Sequence, residues 1–238
     1  MYPDPLSLYI LTLDQGDKAS DSKAVEVTIS DASIFNPSGN SPQNGFRRAE
    51  LLAGSTGVSS AYFQGQKTLH FSLQIDASRP LNYSHEYQLF FIESSDYSTN
   101  QIVLKTGTIL DGTSSQKSNP KYLYLLGNLK TSPPKQLFST PFTSGWHNFA
   151  LTLDFSKNTV QVYYSKDQDA LKASGSAQAN DLSGQGEIHF GVLKKPTGST
   201  DVVNNGFQER GIHEGIVYGG IYEESGANGC STVSTKAG

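Results

Sequence analysis

Two carboxylates and an imidazole stand among apolar residues and a few other polar ones: Glu50 in "GFRRAELL", Glu86 in "HEYQLFFIE" and His189 in "EIHFGVL". A buried charge is costly unless it is paired. A strand that keeps one among leucines and phenylalanines therefore has a core face and a working face. Two carboxyl groups on neighbouring strands can divide acid and base work when their surroundings push their proton affinities apart. Arg48 precedes Glu50 by two positions, the spacing that puts both on one face of a strand, and a neighbouring cation favours the ionised carboxylate. Gln88 offers an amide for sugar hydroxyls, and Trp146, Tyr163 and Tyr218 offer flat apolar rings for sugar faces. On one face, this set reads as a carbohydrate cleft with a possible catalytic pair. Each residue also has a structural alternative. Arg48 and Glu50 can be a same-face ion pair, Glu86 a solvated strand residue, His189 a structural histidine, and the tyrosines ordinary strand residues.

The elements that must position these side chains are strands. In "KTLHFSLQID", Leu69, Phe71, Leu73 and Ile75 alternate with His70, Ser72 and Gln74, the period of a half-buried strand. "WHNFALTLDF" repeats the pattern with His147, Phe149, Leu151, Leu153 and Phe155 on the apolar side, leaving Trp146, Asn148, Ala150 and Thr152 opposite. "KNTVQVYYS" places Val160, Val162 and Tyr164 inward, with Gln161 and Tyr163 outward, and "DFSKN" is a turn that makes these two strands a hairpin. Strict alternation puts Ile188, Phe190 and Val192 in the core and Glu187, His189 and Gly191 outward. It puts Ala49 and Leu51 inward and Arg48, Glu50 and Leu52 outward. It makes Tyr87, Leu89 and Phe91 core residues and Glu86, Gln88 and Phe90 outward ones. By the same rule Val217 and Ile221 face the core, and Glu214, Ile216, Tyr218 and Gly220 face outward. Glu93 shares the parity of the core residues and is expected to leave into a loop.

The 238 residues are 36% hydrophobic, 17% charged and 11% aromatic, a mix that suits strands and turns and is long enough for one large core. Loops such as "NPSGNSPQNG" and "KKPTGSTDVVNNG" separate the strands without dividing the chain. The expected architecture is all-β, a jelly roll of two bent antiparallel sheets with a concave cleft. It forms a single domain over 1–238, ending in a tail of about ten residues. The net charge of −4 and the absence of a basic run argue against nucleic acid or an anionic membrane as partner, and favour a neutral substrate. The lone Cys230 cannot form an internal disulfide. No metal-ligand spacing is present, "GIHEG" is not a zinc-protease motif, and no cofactor is expected. A structural Ca2+ held by loop carbonyls leaves no signature. "NYS" at Asn82 is a glycosylation sequon, although the N-terminus lacks the basic region of a signal peptide.

"NGFRRAELL", "LNYSHEYQLFF", "WHNFALTLDF", "NDLSGQGEIHFGVLKKPTG" and "GFQERGIHEGIVYGGIYEE" together resemble glycoside hydrolase family 131, fungal secreted β-glucanases, from about Val25 to the C-terminus. The resemblance implies a jelly roll that hydrolyses β-1,3-, β-1,6- and β-1,4-linked glucans with inversion. It also implies secretion, with the signal peptide removed and further N-terminal strands absent or divergent. It makes Glu50 and Glu86 the catalytic carboxylates, with Glu86 preferred as acid and Glu50 as base, and His189 the third member, tuning a carboxylate or orienting water. The expected partners are β-glucan polysaccharides and oligosaccharides, bound by a monomer. Loops 107–120 and 129–137 are expected to shape the cleft ends.

Two other readings compete. A non-catalytic glucan-binding protein on the same fold would not need both Glu50 and Glu86. "RAEL", "QLF" and "GGIY" also resemble, in order, the strands of alginate-lyase-like jelly rolls of polysaccharide lyase family 7. Phe90 stands at that family's histidine position and Gly219 at its lysine position, which removes groups a lyase needs to neutralise a uronate.

Overall fold

The computed structural model describes residues 9–11, 23–37, 39–53, 63–110, 118–184 and 186–225. Cys230, the C-terminal tail and most of the N-terminal 22 residues lie outside the described residues, as does 111–117 of the loop expected to shape one cleft end. The first strands are β1 (Tyr9–Leu11), β2 (Ala24–Ser30), β3 (Arg47–Ala53), β4 (Gln66–Ile75) and β5 (Glu86–Glu93). They are followed by β6 (Asn100–Gly107), β7 (Tyr122–Leu126), β8 (Gln136–Pro141), β9 (His147–Asp154) and β10 (Thr159–Lys166). The last four are β11 (Lys172–Ala173), β12 (Gln178–Ala179), β13 (Glu187–Lys194) and β14 (His213–Ser225).

These strands form the expected all-β jelly roll of two antiparallel sheets. One runs β1-β2-β14-β4-β9-β10-β11, with β12 also on β10, and the other runs β3-β13-β5-β6-β7-β8. The core between them follows from the alternation. Leu69, Phe71, Leu73, Phe149, Leu151, Leu153, Val160 and Val162 come from the first sheet. They meet Ala49, Leu51, Ile188, Phe190 and Val192 from the second. Phe71 stacks on Phe90 across the gap at 4.6 Å and meets Phe190 edge-on at 5.4 Å. Each such ring contributes about 1.5–3 kcal/mol by leaving water. The β9–β10 hairpin turns through "DFSKN", with Asn158 in the left-handed conformation.

Strict alternation fails at two strands, and both failures bear on the site. In β5, Leu89 is an extra residue relative to β6, so the register shifts between Gln88 and Phe90. Leu89 and Phe90 consequently both enter the core. Beyond the bulge the phase is reversed. Phe90 and Ile92 face inward, whereas Phe91 joins a separate cluster with Phe46, Val103, Leu126 and Leu193 on the outer side. The expectation of Phe91 inside and Phe90 outside is therefore overturned, and Glu93 turns to the outer face.

In β14, Ile216 and Tyr218 belong to the core, opposite to the expected parity. Val217 is buried but is not part of that core. Glu214 is also buried, where its carboxylate accepts bonds from Lys194 (2.7 Å) and from the Tyr87 hydroxyl (2.8 Å). A second register shift between Gly219 and Tyr222, with Gly220 at φ 57°, restores the phase so that Ile221 packs on the core as expected. Tyr218 cannot be a sugar platform, because its ring lies between the sheets at 1% exposure. Its hydroxyl is 2.7 Å from the carbonyl oxygens of both Leu89 and Gly191 and donates to one of them at a time. Those carbonyls sit where β5 and β13 fall out of register. The Tyr218→Phe variant is expected to lose about 1–3 kcal/mol by stranding them. A denaturant midpoint equal to wild type would rule out this anchoring role.

Candidate active site

The outer face of the β3-β13-β5 sheet gathers Arg48, Glu50, Glu187, His189, Gln88 and Glu93. Glu50 stands opposite Gly191 on β13, and a side chain there would be impossible. An added Cβ would lie 2.2 Å from the Ala49 carbonyl oxygen and 2.8 Å from Glu50 Cγ. The bare backbone of Gly191 lets the Glu50 side chain lie across β13 and reach its neighbour. His189 Nδ1 is 3.2 Å from Glu50 Oε2. Arg48 pairs with the same carboxylate oxygen, as its spacing predicts, and its guanidinium lies 4.8 Å from the centre of the half-exposed Phe35 ring.

The imidazole of His189 is buried and stacked on Phe91 at 4.1 Å and 13°. Its second nitrogen, Nε2, lies 3.5 Å from Glu93 Oε2 and 3.7 Å from Glu187 Oε2. The ring lies between Glu50 and Glu93, so their facing oxygens are at most about 9 Å apart, under the ~9.5 Å upper limit of inverting glycosidases. Burial pushes the Glu50 carboxyl up, but the His189 hydrogen bond and the Arg48 charge outweigh it and leave Glu50 below the usual carboxylate range. Burial pushes His189 down, but the hydrogen bond to Glu50 and the nearby charges of Glu50 and Glu93 outweigh that and raise it.

Glu86 shares the outer side of the sheet but not the site. Its carbonyl accepts from the Lys195 amide, four residues along β13 from Gly191, or about 13 Å down the strand. The carboxylate is fully buried, with Lys105 Nζ at 3.0 Å, Lys195 Nζ at 2.7 Å and the Leu110 amide donating at 2.6 Å. Burial raises its proton affinity, but the two lysines and the amide overwhelm it and hold the pKa at about 2. The expected pairing of Glu86 with Glu50 is not what the fold produces. An acid must carry a proton and touch the glycosidic oxygen, and this carboxylate is ionised and enclosed. Gln88 lies on the same face, accepting from Asn100 at 3.0 Å.

Trp146 and Tyr163 are on the wrong sheet to join this set. The Trp146 indole packs against Gly219 of β14. Tyr163 lies on β10 between the core residue Val162 and the core-packed Tyr164. Both therefore face outward on the other side of the sandwich, over a polar ladder of Thr68–Thr152 (2.9 Å) and Ser72–Asn148 (2.7 Å). The "GGIY" stretch of β14 is in that sheet as well, whereas "RAEL" and "QLF" are not. The three stretches that carry the lyase resemblance thus share no face.

Strict alternation gives Glu93 the parity of the core, and no local pattern shows that Glu187 stands opposite it. The unbroken apolar run "LFFI", too regular for a one-faced strand, was the available sign of the bulge that exposes Glu93. Gly191 inside a strand was the sign of a close approach.

An antiparallel jelly roll with two carboxylates flanking a buried imidazole is a frame for glycoside chemistry. Residues 6–229 match the family model of the Glycoside hydrolase 131 catalytic N-terminal domain, and the chain belongs to that family of glycoside hydrolases. The fold is similar to that of a glycoside hydrolase family 131 β-glucanase catalytic domain from Podospora anserina, at 22% identity and a TM-score of 0.65, over 90% of this chain and 75% of that one. It is also similar to the catalytic domain of a family 131 protein from Coprinopsis cinerea, at 24% identity and a TM-score of 0.60, over 86% of this chain and 71% of that one. No curated protein sequence matches the chain.

Two outcomes follow. Above the lowered Glu50 pKa and below the raised His189 pKa, both groups are charged and the pair stabilises the fold. The Glu50 share is lost as pH falls through its lowered value, and the His189 share as pH rises through its raised value. The His189 ring signals should titrate above the ordinary histidine midpoint of about 6.5, and Glu50→Gln should pull that midpoint down. An unmoved midpoint in the variant would break the assigned pairing. Glu86→Gln should cost about 3–5 kcal/mol of stability by leaving two lysines without their buried counter-charge, read as a lower denaturation midpoint.

Proposed function

We propose that this chain hydrolyses β-linked glucans with inversion, using Glu50 as base and Glu93 as acid. The observation that carries the reading is the placement of these two carboxylates on either side of His189. Glu50 is held ionised by Arg48 and His189, which suits a group that takes a proton from water. Glu93 is the more open of the two carboxyls at Nε2, with 24% of its side chain exposed against 15% for Glu187. In one step, water attacks the anomeric carbon and its proton passes to Glu50. The bond to the glycosidic oxygen breaks, and that oxygen takes the proton of Glu93. His189 acts through both neighbours, as a positioning residue that fixes the base and spaces it from the acid.

Several further points belong to the same proposal. The substrate is neutral, in keeping with a chain that carries no basic run. Its linkages are β-1,3, β-1,6 and β-1,4, it acts as a monomer, and it works outside the cell. Asn82 of the sequon is exposed, although its amide nitrogen donates to Glu209 at 2.9 Å, and the sequon is in keeping with secretion. Glu86, Lys105 and Lys195 serve as a buried clamp that fixes residues 108–110 beside the working face.

The test is incubation with laminarin, a β-1,6-glucan and a soluble cellulose derivative, following reducing ends and the anomer first released by NMR. Inverted product is expected. Glu50→Gln and Glu93→Gln should each lower kcat by about 10²–10⁴ while the proteins stay folded. Full activity of Glu93→Gln would remove it from the mechanism. A folded wild-type chain that binds glucan and releases nothing would instead be a glucan-binding protein.

A further inference from the structure

Glu93 and Glu187 face each other directly across β5 and β13. Like charges in that position repel. Among the described residues neither has a Lys or Arg partner within 4.0 Å, and the group each one meets is His189. His189 Nε2 is buried and makes no hydrogen bond. A buried nitrogen without a partner is expensive, and this one is aimed into the gap between two carboxylates. The three donor atoms, Nε2 and one oxygen from each glutamate, all lie within 4.8 Å of one another.

We propose that Glu93, Glu187 and His189 bind one divalent transition-metal ion of the Zn2+ type, and that the bound ion blocks hydrolysis. Donors at about 2.0–2.2 Å from a tetrahedral ion lie roughly 3.3–3.5 Å apart, so the observed 3.5 and 3.7 Å from Nε2 need little adjustment. The remaining coordination is left to water. The ring is prepared for this role on its other side. Metal-bound histidines commonly give their second N–H to a carboxylate, which fixes the tautomer and strengthens the ligand, and Glu50 holds Nδ1 in that position. Phe91 stacked on the ring fixes its plane. An imidazole with two carboxylates suits zinc, whereas Ca2+ prefers six to eight oxygens. The inference shares Glu93 and His189 with the proposed catalytic arrangement but depends on Glu187, which has no part in it. An ion bound to the Glu93 carboxylate holds it ionised, and an ionised carboxylate cannot serve as the acid, so occupancy and turnover exclude each other.

The experiment is calorimetric titration of the metal-free chain with ZnCl2 in a buffer that does not chelate, with CaCl2 as comparison. One saturable zinc site is expected, with no comparable calcium binding. Glu187→Gln and His189→Gln should each weaken zinc at least tenfold, with circular dichroism and melting confirming that both variants fold. Glucan hydrolysis on the same samples should fall with zinc and return with EDTA. Absence of saturable zinc binding into the millimolar range overturns the site. Binding unchanged in both variants or equal affinity for calcium does the same, and full activity of the zinc-saturated chain overturns the block of hydrolysis. Zinc binding by a metal-free chain that hydrolyses no glucan would overturn the catalytic reading alone, and hydrolysis without zinc binding would overturn the metal site alone.

Discussion

The Tyr218 hydroxyl reaches from one sheet to the two places where the other sheet loses its register. At Leu89 and Gly191 the ladder cannot satisfy every carbonyl, and buried carbonyls without a donor are costly. One phenol stands within reach of both and donates to either in turn, from a ring fixed in the core against Phe190 at 6.2 Å. The arrangement stabilises a defect, and the defect places the site. With the bulge in β5, Glu93 is outside and next to His189. Without it, the same carboxylate would take the parity of the core residues and point between the sheets.

The second constraint is space. Glu50 reaches His189 because Gly191 gives up its side chain, and the backbone passes close enough that even a methyl group would collide. The imidazole is then enclosed on every side by something that defines it. Glu50 fixes one nitrogen, Phe91 fixes the plane, and Glu93 and Glu187 surround the other nitrogen. Arg48 offsets one carboxylate only. The site therefore carries an excess of negative charge on its Nε2 side, which the proton of a general acid or a cation can offset.

The sequence made the fold and half of the site legible, for identifiable reasons. Period-2 alternation is a direct consequence of backbone pleating, so β4, β9, β10 and β13 were read with the correct faces, and Arg48, Glu50 and His189 with them. Reading stopped where alternation did. A bulge shifts phase without changing composition, so β5 beyond Leu89 was read inside out, as was β14 before Gly220. Sheet membership is also invisible locally. Trp146 and Tyr163 lie on genuine outward faces, but of the sheet that turns its back on Glu50. Glu86 was located correctly on its strand. What its motif could not show is that Lys105 and Lys195, distant in sequence, close over it. The cluster of Glu93, Glu187 and His189 spans two strands far apart in the chain, so no spacing rule could have flagged it.

The bulge also separates two tasks that a regular strand keeps locked together. In an uninterrupted strand, choosing which residues the core receives also decides which residues substrate meets. In β5 the two halves run in opposite phase, so the core can take Tyr87, Leu89, Phe90 and Ile92 while the outer face takes Gln88, Phe91 and Glu93. One inserted residue is enough to exchange what a strand offers to its surroundings. A jelly roll can thus acquire or lose a carboxylate on its working face through a single-residue insertion or deletion, with its hydrophobic content hardly altered. Chemical diversity among sandwiches of this shape need not wait for new side chains at old positions.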